Sequence, residues 1–253
     1  MVTLTINGQE VRAEEGTTIL EVARENNIYI PSLCYHEGVT PYGACRLCLV
    51  EIAKDGRQRL VASCLYQVEE GLVVKTNSER IINNRKMIME LLLARCPNNK
   101  VIQDLARQLG VDKTNFKLED NQCILCGLCV RVCQEVVGVS AISLVNRGVD
   151  REMATPFYEH SEACIGCGSC AYVCPTGAIK MEDIGDKRKI TMPTCQMEFK
   201  LKKCKTCGKY WAPEKQLDYI IKEADLASDT FDNCLTAEIN PQFDPKPALC
   251  YTS

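Results

Sequence analysis

The chain has 253 residues, 46% apolar and 25% charged, with 30 basic against 33 acidic side chains and a net charge of −3. That balance describes a globular protein of one large or two to three small domains, excludes a disordered or fibrous chain, and gives no sign of a broad basic footprint for nucleic acid. Eighteen cysteines beside only 6% aromatic residues imply a mostly aliphatic core or metal centres that do part of the holding.

The first predicted unit, residues 1–77, alternates as strands do. Val2, Leu4 and Ile6 point one way, Asn7-Gly8 is a hairpin signal, and Val11 lies in the return strand. Thr18 with Glu21 resembles a capping box for a short helix that buries Ile19, Val22 and Ala23. Further strands are expected at Cys48–Ala53, Arg59–Ala62 and Leu72–Lys75, giving a mixed sheet crossed by one helix. Residues 78–118 read as a helical connector. Ser78 caps a helix whose stripe is Ile81, Ile82, Arg85, Ile88, Leu91 and Leu92, and Pro97 breaks it. A second helix carries Val101, Ile102, Leu105 and Leu109, with Gly110 beyond its end. Residues 119–182 hold an internal repeat: a shift of 41 maps Cys123, Cys126, Cys129 and Cys133 onto Cys164, Cys167, Cys170 and Cys174. Residues 183–253 read as a small tail. It opens on the charged run GDKRK, taken as a solvated turn, and ends with Pro241, Pro245 and Pro247 along a surface.

The cysteines are read as metal ligands rather than disulfides. MVTLTINGQEVRAEEG shows no signal peptide, and the apolar stretch Met87–Ala94 contains Glu90 and is too short to span a membrane. A cytoplasmic protein is expected, where thiols stay reduced.

Both repeated runs read C-x2-C-x2-C-x3-C. Three cysteines so close can wrap a small inorganic cube if the backbone loops tightly, which Gly127, Gly166 and Gly168 permit. Zinc instead favours paired cysteines separated by a loop. The runs are similar to those of two-cluster ferredoxins, in which the fourth cysteine ligates the other cluster. The resemblance implies one [4Fe–4S] cluster on Cys123, Cys126, Cys129 and Cys174, and a second on Cys164, Cys167, Cys170 and Cys133. Pro175 follows Cys174 as that family prefers, whereas Gln134 follows Cys133 and departs from the pattern.

Near the N-terminus the spacing is C34-x10-C45-x2-C48-x15-C64, with a first gap longer than the plant-type ferredoxin pattern. The segment PSLCYHEGVTPYGACRLCLVEI resembles the N-terminal [2Fe–2S] domain of the large iron–sulfur subunit of respiratory complex I and its relatives in soluble NAD-linked hydrogenases and formate dehydrogenases. The resemblance implies a β-grasp fold and a [2Fe–2S] cluster on Cys34, Cys45, Cys48 and Cys64. A Rieske-type centre would need two histidines, and His160 is remote from His36, so His36 is expected to be a loop residue. Arg46, inside the cluster turn, is a candidate for tuning the potential or a plain solvent-facing side chain. The segment ELLLARCPNNKVIQDLARQLG holds one cysteine and no histidine, so the additional His-plus-three-Cys cluster of many relatives is expected to be missing, with Cys96 a buried free thiol.

The tail segment KKCKTCGKYWAPEKQLDYI contains a CxxCG knuckle that resembles zinc-ribbon-like tails of some hydrogenase-linked ferredoxin subunits. The candidate ligands are Cys195, Cys204, Cys207 and Cys234, with Cys250 an alternative fourth, for zinc or a third [4Fe–4S] cluster. The fold class expected is therefore α+β: a β-grasp domain, a helical connector, a ferredoxin-like domain with two cubanes and a metal-binding tail. No P-loop, no G-x-G-x-x-G and no nucleophile–base constellation is present. The resemblance implies an electron-relay subunit of a cytoplasmic multisubunit NAD(P)-linked oxidoreductase of hydrogenase, formate dehydrogenase or transhydrogenase type. Its expected partners are a flavin- and NAD(P)-binding subunit and a catalytic subunit or ferredoxin. The alternatives are a free-standing multicluster ferredoxin that diffuses as a carrier, or a non-redox metal-binding interaction protein.

Overall fold

The computed structural model describes residues 1–54 and 56–234. Pro241, Pro245, Pro247 and Cys250 lie outside the described residues.

Strands β1 (Val2–Ile6) and β2 (Gln9–Ala13) form the expected hairpin. Asn7 and Gly8 both take positive φ, 52° and 86°, the geometry of a type I′ turn. Helix α1 (Ile19–Glu25) starts from the capping box, with the Glu21 carboxylate accepting the Thr18 N–H at 2.7 Å. Strands β3 (Leu49–Lys54), β4 (Arg57–Ala62) and β5 (Val73–Lys75) complete a sheet in the order β2-β1-β5-β3-β4. Only β1 and β5 pair in parallel, across the middle of the sheet. Leu4, Ile6, Leu20, Ile52, Leu72 and Val74 are almost wholly buried where α1 crosses this β-grasp sheet.

Helix α2 (Glu79–Arg95) is capped by Ser78 as expected, but its buried face differs in phase. Ile81, Arg85, Met89 and Leu93 are buried, while Ile82 and Leu91 are exposed. The reason is Arg85, whose guanidinium turns inward and donates to the carbonyls of Leu47, Thr76 and Leu49 at 3.0, 3.0 and 2.7 Å. Helix α3 (Lys100–Gln108) follows, and Gly110 at φ 69° takes the left-handed position after it. The Asn99 side chain caps α3 and also donates to the Thr176 carbonyl at 2.7 Å, tying the connector to the second cysteine run.

In the repeat region, α4 (Leu128–Arg131) runs into one π-helical turn at Val132–Val136. A hairpin of β6 (Ser143–Val145) and β7 (Glu152–Ala154) precedes α5 (Ser169–Tyr172).

Residues 180–223 hold more regular secondary structure than the sequence suggests. Strands β8 (Lys180–Ile184), β9 (Lys187–Thr191), β10 (Gln196–Lys203) and β11 (Tyr210–Pro213) form an antiparallel sheet in the order β11-β10-β9-β8, followed by α6 (Glu214–Glu223). Only Gly185 and Asp186 of the charged run turn; Lys187, Arg188 and Lys189 belong to β9, with Arg188 paired to Asp183 across the hairpin. Ile190, Met197 and Phe199 of this sheet pack with Cys129, Cys133 and Cys170, so it covers the repeat.

Candidate iron–sulfur sites

The first site is a loop held against the β-grasp sheet. Cys34, Cys45, Cys48 and Cys64 are all buried. They fall into two pairs. The Cys45 N–H donates to Cys34 Sγ at 3.4 Å, and Cys48 Sγ lies 3.4 Å from Cys64 Sγ. The Cys45 thiol pulls Cys34 down to about 6, aided by backbone donors and the positive charge of Arg131. The Cys64 thiol does the same for Cys48, also to about 6. The same contacts, together with burial, push Cys45 and Cys64 upward. Metal binding requires these thiols to give up their protons.

The two repeated runs cross. One small cavity is lined by Cys123, Cys126, Cys129 and Cys174, with Leu144 and Ile179 between them. The other is lined by Cys164, Cys167, Cys170 and Cys133, with Ile142 and Ile190. The apolar walls raise the thiols: burial pushes Cys126 to about 11 and Cys170 to about 12. Backbone N–H groups face the sulfurs, Leu125 to Cys123 at 3.4 Å and Ala141 to Cys133 at 3.2 Å, as suits thiolates carrying negative charge. Gly166, at φ 73°, is required by close approach: a Cβ there would stand 2.6 Å from the Phe199 ring. Four sulfurs around each of two apolar cavities are a donor set suited to cubane clusters.

Cys126 and Cys129 line one cavity but pack into different buried clusters. Cys34, Cys45 and Cys126 belong to one buried cluster, and Cys129, Cys133 and Cys170 to the next.

The tail brings together Cys204, Cys207 and Cys234, whose sulfurs all lie within 4.8 Å of one another. Cys204 Sγ accepts the N–H groups of Cys207 and Cys234 at 3.4 and 3.3 Å, which pulls it down to about 6. Asp232 anchors the two segments, pairing with Lys202 at 3.0 Å and with Lys205. Cys195 is not in this group. It precedes β10, its sulfur 3.5 Å from Thr155 Oγ1, and Cys204 follows the other end of that eight-residue strand. At roughly 3.3 Å per residue, no single ion reaches both.

Other sequence candidates stand apart. His36 accepts the Gly38 N–H at 3.1 Å within its loop, and His160 packs on Phe199 at 5.4 Å between ring centroids. Cys96 is fully buried, and burial pushes it to about 12. Arg46 is exposed. The buried cations beside the first site are instead Arg85 and Arg131. Arg85 was visible as a charge within an apolar stripe, whereas nothing local marks Arg131.

Residues 1–79 match the family model of a 2Fe-2S iron-sulfur cluster binding domain, and residues 122–178 that of a 4Fe-4S dicluster domain. The chain is 34% identical over 206 residues to an NADH-quinone oxidoreductase subunit of Rhizobium meliloti, covering 71% of this chain and 24% of that protein. It is 35% identical over 208 residues to NADPH-Fe(3+) oxidoreductase subunit alpha of Geobacter sulfurreducens, with coverage again 71% and 24%. It also resembles a chain in the crystal structure of an NAD+-reducing [NiFe]-hydrogenase in the H2-reduced state, at TM-score 0.55 and 31% identity, over 61% of this chain and 74% of that one. The chain belongs to the family of iron–sulfur subunits shared by NADH-quinone oxidoreductases and NAD+-reducing hydrogenases. This iron–sulfur subunit spans about a quarter of the length of the curated relatives above. Among its described residues no helix is long and apolar enough to cross a membrane.

Proposed function

We propose that this iron–sulfur subunit relays single electrons within a cytoplasmic NAD(P)-linked oxidoreductase of hydrogenase, formate dehydrogenase or transhydrogenase type. A flavin- and NAD(P)-binding subunit stands on one side of the relay, and ferredoxin or a catalytic subunit on the other. In this reading Cys34, Cys45, Cys48 and Cys64 hold a [2Fe–2S] cluster. Cys123, Cys126, Cys129 and Cys174 hold one [4Fe–4S] cluster, and Cys164, Cys167, Cys170 and Cys133 the second. Such clusters supply one-electron chemistry, at potentials set by charge, hydrogen bonding and burial. The observation that carries the reading is that Cys126, packed in one buried cluster with Cys34, lines the same cavity as Cys129, which is packed in the next cluster with Cys170. The chain's own residues exclude water from that path and supply N–H donors to the sulfurs.

The tail trio is assigned a single zinc ion. Around one tetrahedral zinc with Zn–S near 2.3 Å, sulfurs sit roughly 3.8 Å apart, and Cys207 Sγ and Cys234 Sγ are 3.6 Å apart. The cysteines lining the two cubane cavities do not gather in this way: among the described residues, the trio alone brings three metal-binding side chains within 4.8 Å.

Anaerobic purification with natural partners, followed by metal analysis and EPR, tests the assignment. The expected result is roughly ten irons in one [2Fe–2S] and two [4Fe–4S] centres, one zinc, and a copurifying flavoprotein. Two irons or fewer overturn the relay. A monodisperse, redox-active monomer without partners favours the free carrier.

A further inference from the structure

Arg131 lies between Cys129 and Cys133, yet its side chain serves a different site. It reaches out of the repeat into the loop that carries Cys34. Nη2 donates to the Cys34 carbonyl at 2.9 Å, and Nη1 donates to the Thr40 carbonyl. From one turn further along, the Glu135 carboxylate accepts the Thr40 N–H at 2.6 Å, so Thr40 is held on both of its backbone groups. The Arg131 guanidinium stands 5.7 Å from the centre of the Tyr42 ring. The loop from Cys34 to Tyr42 is therefore clasped by the helix that carries Cys129 and Cys133 of the first run.

The Glu135 carboxylate of the same clasp is engaged by the Thr40 N–H and does not pair directly with Arg131. Arg131 is 9% exposed, forms no ion pair among the described residues, and its Nε–H has no acceptor among them. A buried cation without an ionic partner carries a desolvation cost, and two carbonyl dipoles offset part of it. Arg85, the second buried guanidinium near this loop, differs: all three of its nitrogens have carbonyl acceptors, and it comes from the connector. The anion that suits Arg131 is a thiolate-ligated cluster at Cys34, doubly negative when oxidised and triply negative when reduced. A fixed positive charge stabilises the more negative state, and it does so strongly where water is excluded.

We propose that Arg131 is a positioning residue that docks the Cys34 loop onto the repeat and raises the reduction potential of the centre bound there, so that this potential depends on contact between the two domains. The proposal rests on Cys34 being a [2Fe–2S] ligand.

The test is an EPR-monitored redox titration of the full chain, purified without oxygen, as wild type and as Arg131→Gln, Arg131→Met and Arg131→Lys. The neutral variants are expected to give a lower [2Fe–2S] midpoint potential at unchanged iron content. Arg131→Lys, which keeps the charge but loses the fork, is expected to stay near wild type. A wild-type midpoint in either neutral variant at full iron loading overturns the proposal. If neither neutral variant loads iron, full loading of the Lys variant supports a need for the cation. Failure of the Lys variant as well reduces Arg131 to a packing role. A wild-type protein with no [2Fe–2S] signal is a different result, because it removes the relay itself.

Discussion

Cys48 Sγ lies 3.4 Å from Cys64 Sγ, although 15 residues and strands β3 and β4 separate them in the chain. Cys34 and Cys45 form the matching pair across the loop. Two pairs of sulfurs suit two irons, one pair to each. Serine at Cys48 or Cys64 is expected to perturb one and the same iron, and serine at Cys34 or Cys45 the other. Mössbauer spectra of the four variants check this, since a shared signature should follow the pairs. A shared signature that instead linked Cys45 with Cys48, neighbours in the sequence, would contradict the pairing.

The Arg85 side chain fills three backbone acceptors around the same loop. Arg85→Met keeps the apolar stem but orphans buried carbonyls, at a cost on the order of 3 kcal/mol. The expected outcome is a lower thermal midpoint and faster bleaching of the visible [2Fe–2S] absorbance. Arg85→Lys should recover only part of the loss, because one ammonium cannot span all three carbonyls.

Cys96 lines neither of the two cysteine-lined cavities described above and is pushed to about 12 by burial, from an ordinary value of 9.0. The folded protein therefore holds this proton more tightly than the unfolded chain. The associated stability is present below about pH 9 and is lost as the pH rises toward 12. Thermal midpoints of wild type should fall more steeply above pH 9 than those of Cys96→Ala. In the native protein Cys96 should resist iodoacetamide, and iron content should be the same in both proteins. Loss of iron in the alanine variant would make Cys96 a cluster ligand after all.

For the tail, serine at Cys204, Cys207 or Cys234 is expected to release about one equivalent of zinc and leave the iron count unchanged. Cys195→Ser should retain the zinc. Iron lost together with the zinc would argue for a third cluster in the tail.

Much of the site was legible in the sequence because its geometry is local. The C-x2-C-x2-C-x3-C runs, the Asn7-Gly8 turn and the Thr18–Glu21 capping box each act over a few residues. What escaped depends on long-range packing. The sheet β8–β11 was obscured by its charged outer strand, although Met197, Phe199 and Leu201 alternate as a buried strand does. Cys195 looked like a tail ligand until β10 set it at the far end of a strand from Cys204. The phase of α2 was set by an arginine that turns inward for carbonyls on β3 and its approach, and no periodicity in the helix records them. Arg131 reads as one more charge on a short helix, and only its contact with Cys34, 97 residues away, gives it meaning.

The exchange of Cys133 and Cys174 between the two cavities bears on how the protein is made. Neither run can complete its own cage, so a fragment ending before Cys174 would leave the earlier set one thiol short. Filling of the earlier cavity should then wait until the ribosome has passed Cys174. The later set, by contrast, is complete as soon as Cys170 has been made, so the two cavities become fillable in the reverse of their order along the chain.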